Sequence, residues 1–211
     1  MGAMRTYLSI VLVLAAVFVT TSAFAQQASR VGAALVHVEG EVYLNDRAIE
    51  SNSAPFVLPD SAVLRTSQGR AAIALKRGGL LFLDAGTSVR VLGNGVYNFN
   101  RIDVLTGSAI VASETSAPLV GCESEIRLSD AGIFRFDVQR GNSTDERSCR
   151  FRVFAGAAAV PLVSVTNALR AGQTMTCNRR CGDMIPTMEF SQEQLDDFDR
   201  WTRVMQERLR K

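Results

Sequence analysis

The chain has 211 residues, with 23 Lys plus Arg against 21 Asp plus Glu, one histidine and a formal charge of +2. Interspersed charges of near-zero sum leave no electrostatic footprint for nucleic acid, and a single histidine excludes multi-histidine metal sites. The length suits one domain, or two small ones, with a core of its own.

Arg5 is the only charge among the first 25 residues, and the apolar run Leu8–Val19 leads to Ala23-Phe24-Ala25. A positive start, a short apolar stretch and an Ala-x-Ala end predict a secretory signal peptide over 1–25, cut after Ala25. The run falls short of the roughly 20 apolar residues that cross a bilayer. The expected product is periplasmic or secreted and keeps no stable membrane anchor.

Val36 to Asn45 reads as a strand, a turn at Gly40 and a second strand, closed by the turn signal Asn45-Asp46-Arg47. Pro55 and Pro59 bracket a loop. From Leu64 to Leu92, three short strands follow in quick succession. Ala72, Ala74, Leu80, Phe82, Val89 and Val91 take alternate positions, as strands with one buried face require. Gly93-Asn94-Gly95 marks another turn, with Tyr97 just beyond it. The phrase Leu105-Thr106-Gly107-Ser108-Ala109-Ile110-Val111 then has an echo 49 residues on, in Phe154-Ala155-Gly156-Ala157-Ala158-Ala159-Val160. Between them, Ile126-x-Leu128 and Ile133 to Val138 alternate, and Gly141 to Arg147 forms a polar loop tip.

Four cysteines, Cys122, Cys149, Cys177 and Cys181, all follow the predicted leader. An even count in an exported chain favours disulfides. Cys122 and Cys149 each open an alternating run, so the favoured pairing is Cys122–Cys149 with Cys177–Cys181. The larger loop would contribute about 3 kcal/mol. A four-cysteine zinc site is the rival, but the wide gap between Cys122 and Cys149 does not suit it.

At the end of the chain the period changes. Ser191 with Gln194 reads as a capping box, and Leu195, Phe198, Trp201 or Thr202, Met205 and Leu209 recur at helical steps. An amphipathic helix is expected over 190–211, its stripe docked on the β domain.

Catalytic groups are scarce. His37 sits inside a strand, the carboxylate pairs Glu39 with Glu41 and Asp84 with Asp103 are ordinary strand-edge residues, and no nucleophile elbow or phosphate loop occurs. Asn178-Arg179-Arg180 is a small basic patch that reads first as a solvated loop. The expectation is a non-enzyme, with no catalytic, cofactor or metal residues to name.

Several phrases resemble those of the FecR-like domain family, in the same order. They are Gly40-Glu41-Val42-Tyr43-Leu44-Asn45, the run Leu64 to Leu75, Gly79 to Leu83, Thr87 to Val91 and Leu105 to Val111. The match is best over 36–111 and extends loosely across 31–185. The resemblance implies an exported all-β domain of stacked short strands, a β-helix-like or β-roll scaffold, here followed by the helix. The best-known members relay a signal from an outer-membrane transporter to a sigma factor, through a cytoplasmic segment and a membrane helix. This sequence offers a cleavable leader in that place, so the sigma-factor role is not carried over. The expected function is binding or scaffolding in the cell envelope, with an envelope protein or a polysaccharide as partner and no nucleic acid. A regulatory sensor in envelope signalling is one alternative. A cell-wall polysaccharide-binding module is the other, with Tyr43, Tyr97 and Trp201 as its candidate sugar-stacking rings.

Overall fold

The computed structural model describes residues 33–76, 78–92, 101–115, 117–121, 124–140, 147–161, 166–178, 183–191 and 195–210. The predicted signal peptide, Tyr97 and the 141–146 loop tip lie outside them. The chain first forms β1 (Ala34–Glu39), β2 (Val42–Leu44), β3 (Arg47–Ile49), β4 (Phe56–Val57), β5 (Ala62–Thr66), β6 (Arg70–Ala74), β7 (Gly79–Leu83), β8 (Ser88–Leu92) and the long β9 (Arg101–Ser113). It continues through β10 (Ala117–Gly121), β11 (Ser124–Leu128), β12 (Gly132–Arg140), β13 (Arg147–Ala155), β14 (Ala157–Pro161), β15 (Thr166–Arg170), β16 (Gln173–Asn178), β17 (Asp183–Glu189) and helix α1 (Asp197–Leu209).

The strands make two layers. Sheet A runs β4-β1-β6-β7-β9-β12-β13-β16-β17. Sheet B runs β3-β2-β5-β8-β9-β10-β11-β14-β15. The fold is all-β with one carboxyl-terminal helix. Its short strands pair as antiparallel neighbours, with a parallel contact where Val120 and Gly121 lie beside Asp103 and Val104. Antiparallel hairpins, and not the parallel coils of a β-helix, therefore organise the glycine-turned run.

Strand β9 belongs to both layers. Its first half pairs in sheet B and its second half in sheet A, and the change falls at Gly107. The second phrase behaves alike: β13 ends in sheet A, Gly156 follows, and β14 begins in sheet B. Gly107 and Gly156 have φ of 88° and 85°, a region that side chains disfavour. The repeated glycine phrase thus marks sheet changes. A buried ladder stitches this corner: Thr66 Oγ1 accepts from the Thr87 amide at 2.9 Å, and Thr87 Oγ1 accepts from the Ser108 amide at 3.0 Å.

Between the layers lies the main core, with Leu35, Leu64, Ile73, Leu81, Val89, Val91, Ile102, Phe134, Phe136, Phe151 and Val153 among its buried members. The expectation of one buried face for Ala72, Leu80, Phe82, Val89 and Val91 needs correcting. Val89 and Val91 point into this core, whereas Ala72, Leu80 and Phe82 point out of sheet A into a second cluster beneath α1. Strands β6 and β7 are buried on both sides because the helix covers them.

Cys149 is buried in the main core and is disulfide-bonded. Its cross-strand neighbour in the β13–β16 register is Cys177, while Cys122 and Cys181 lie outside the described residues, as does the favoured pairing that joins them to the others. Digestion without reductant should release Cys149 only in a linked peptide, and the mass of that peptide distinguishes Cys122 from Cys177 as partner. Recovery of Cys149 as a free thiol sinks the expectation.

Candidate functional site

Helix α1 lies on the outer face of sheet A. Phe198, Thr202 and Met205 are its buried stripe, and they meet Ala72, Phe82, Ile110 and Ala112 of the sheet. The docked stripe is the one that the helical spacing predicts, but the helix begins later than expected. Its N-cap is Asp196, and the capping box joins Asp196 to Asp199 instead of Ser191 to Gln194. Asp199 donates its amide to Asp196 at 2.9 Å, and the Asp196 amide donates back at 3.1 Å.

The reason for the later start is Arg135 on β12, which is only 5% exposed. Its guanidinium donates from Nη1 to Asp199 at 2.8 Å, contacts Asp196 at 2.7 Å and donates from Nε to Asp137 at 2.9 Å. Ser191 could offer that cation no charge. Asp137 also accepts from Arg152 at 2.8 Å and from the Ser108 hydroxyl at 2.8 Å. Burial works against the charge on Arg135, but Asp137 and then Asp199 outweigh it and hold the guanidinium pKa above its ordinary value. For Asp196, burial favours protonation, yet the Asp199 amide and the Arg135 guanidinium prevail and lower its pKa from 3.8. A carboxylate whose folded pKa is lowered stabilises the fold above its unfolded value, and that stability disappears as pH falls through the folded one. Stability measured by denaturant titration should therefore drop below pH 3.8, with a shallower drop in Asp196→Asn. An identical acid slope in the variant would remove Asp196 from this account.

A second arginine frames the helix from the other side. Arg70 donates to Asp84 at 2.8 Å and lies 5.4 Å from the Trp201 ring centroid. Trp201 meets Phe82 edge-on at 5.9 Å, and its indole N–H donates to Glu39 at 3.0 Å. His37 is 2.8 Å from the other Glu39 oxygen. Trp201 is thus occupied in the helix–sheet contact. Cutting the chain after Phe190 should bare this cluster and lower the melting temperature, and an unchanged melting temperature would show that the contact adds nothing.

The outer face of sheet B is different, since no described element covers it. Tyr43 lies there, half-buried, with the Arg65 guanidinium 4.5 Å above its ring. The carboxylates considered as pairs are divided by the architecture. Asp84 is on the outer face of sheet A and Asp103 on that of sheet B, opposite Arg90. Glu39 ends β1 in sheet A, and Glu41 follows the Gly40 turn toward β2 in sheet B. Asn178 ends β16, while Arg179 and Arg180 lie outside the described residues. Among the described residues, no three His, Cys, Asp or Glu are grouped as metal ligands, and no helix is long and apolar enough to cross a membrane. The Arg135 clamp was missed by sequence reasoning. The signal available for it was an aspartate three residues before another, Asp196 and Asp199, at the start of the apolar stripe.

No family model and no curated relative matches this chain. Among solved structures it is similar to two crystal structures of a "putative anti-sigma factor" from Parabacteroides distasonis ATCC 8503. One is 13% identical with a TM-score of 0.49, covering 68% of this chain and 64% of that one. The other is 14% identical with a TM-score of 0.48, covering 67% and 62%. This chain spans less than two thirds of the length of either.

Proposed function

We propose that this chain is an exported, non-enzymatic binding module of the cell envelope, related to FecR-like domains. The observation that carries the reading is the asymmetry of its two outer faces. Sheet A spends its outer face on α1 and the arginine clamp, while sheet B presents its outer face with no described element over it. The leader-like sequence of residues 1–25 supports export, and the FecR-like phrases support the family reading, since they fall on the strands and sheet changes of the first half. Sugar stacking has weaker support, because Trp201 is engaged with the sheet.

Fractionation of cells making the tagged chain, followed by crosslinking in the intact envelope, tests this. The expected result is a product beginning at Gln26 that forms specific envelope adducts. Cytoplasmic retention with Met1 in place, or a chain in the envelope without adducts, would overturn it.

A further inference from the structure

The exposed face of sheet B carries one outward arginine on each of five strands. Arg65 is exposed between buried Leu64 and Thr66, and Arg90 between buried Val89 and Val91. Arg101 precedes buried Ile102, Arg127 stands between buried Ile126 and Leu128, and Arg170 follows buried Leu169. All five are exposed. The same alternation that sends the apolar neighbours inward sends these five outward.

Their registers form a line. Arg90 pairs with Val63, so Arg65 lies one strand over and two residues along. Arg90 also pairs with Asp103, which puts Arg101 one further strand over and two residues along in the same sense. Val120 lies beside Asp103, and Pro118 pairs with Arg127, so Arg127 stands level with Arg101 beyond β10. Arg127 pairs with Ala159, and Arg170 pairs with Ala157, which carries the line another two residues along to the far strand. With about 4.8 Å between strands and about 3.4 Å per residue, successive arginines are about 8 to 12 Å apart. Among the described side chains, Asp103 is the one acidic group on this diagonal. Five of the chain's 23 Lys plus Arg residues thus share this face in a line.

We propose that this diagonal binds a linear anionic polysaccharide, one bearing carboxylates along its length. The proposal rests on the binding-module reading and names the surface and partner class for it. A row of guanidiniums at regular spacing suits a polymer with regularly spaced anions, and each planar fork can hold a carboxylate through two hydrogen bonds. A bilayer surface fits less well. Interfacial anchoring calls for bulky apolar side chains at the free surface alongside the cations, whereas Tyr43 beside Arg65 and Leu92 beside Arg101 are both half-buried and the other neighbours, Val63, Ser88, Ala159 and Ala168, are small. An extended peptide would add to a strand edge sooner than to a sheet face.

The test is affinity electrophoresis of the purified chain through gels containing alginate, with neutral dextran as control. The chain should be retarded by alginate only, and less so as salt rises. Arg90→Glu with Arg101→Glu should weaken binding about tenfold or more, while Arg203→Glu with Arg208→Glu, an equal charge change on the exposed side of α1, should leave it unchanged. Arg90→Gln with Arg101→Gln serves if the double reversal does not fold. Three results overturn the proposal: no retardation by alginate, an equal loss in the helix control, or capture by phosphatidylglycerol vesicles through the same arginines without alginate binding. Failure here with envelope adducts intact removes the diagonal and leaves the binding-module reading. Alginate binding without envelope adducts does the reverse.

Discussion

Replacing Arg135 with alanine is expected to destabilise the fold by about 3–5 kcal/mol, because it leaves the buried Asp199 carboxylate without its cation. Asp199 is 4% exposed, whereas Asp137 in the same cluster would keep Arg152. The loss is not confined to β12, since Arg135 also holds the N-cap of α1. In a domain of this size the melting temperature should fall by about 2–4 °C for each kcal/mol. Trp201 is the only tryptophan, so its emission should shift to longer wavelength as the helix leaves Phe82. Arg135→Lys should recover little, since a single ammonium cannot reach Asp137, Asp196 and Asp199 in one geometry. A loss below about 1 kcal/mol, the usual worth of an exposed ion pair, would contradict the clamp.

Gly107→Ala is the second large effect. At φ of 88° a side chain is strained, which costs about 1–2 kcal/mol. The added Cβ would also stand 2.5 Å from Thr87 Cα and 2.7 Å from the Gly86 carbonyl oxygen, both main-chain atoms that cannot swing aside. Overpacking of this kind costs about 1–3 kcal/mol more. Urea unfolding should place the variant about 2–5 kcal/mol below the parent, or recover it unfolded. Gly86→Ala is the matched comparison, because φ there is also positive but nothing lies within 4 Å of the added atom. It should lose the strain alone, and equal losses in both variants would deny the close approach.

Much of the fold was legible because it is local. Alternation located the strands of the Leu64–Leu92 run, and the recurrent glycine phrase marked Gly107 and Gly156 before their role as sheet changes was visible. Which face of β6 and β7 would be covered was not legible. Phe82 alternates like any half-buried strand residue, and its partners Phe198 and Trp201 lie more than a hundred positions away. Arg135 and Asp137 read as the solvated side of β12 for the same reason. A local capping pattern at Ser191 lost to one at Asp196 because only the latter meets a buried cation brought by tertiary packing. The arginine diagonal illustrates the limit most plainly. Each of its members is an unremarkable outward polar residue in its own strand, and the line exists only once the registers are known.

The outermost strands have a consequence for self-association. Sheet A ends on one side in β4, two residues long, and on the other in β17, which has Pro186 within it and an irregular register with β16. Sheet B ends in the three-residue β3 and the five-residue β15. Short margins and a proline that lacks an amide proton are poor templates for an incoming strand. Among the described strands, such margins offer an incoming strand little to pair with, which works against growth into fibrils or strand-swapped polymers.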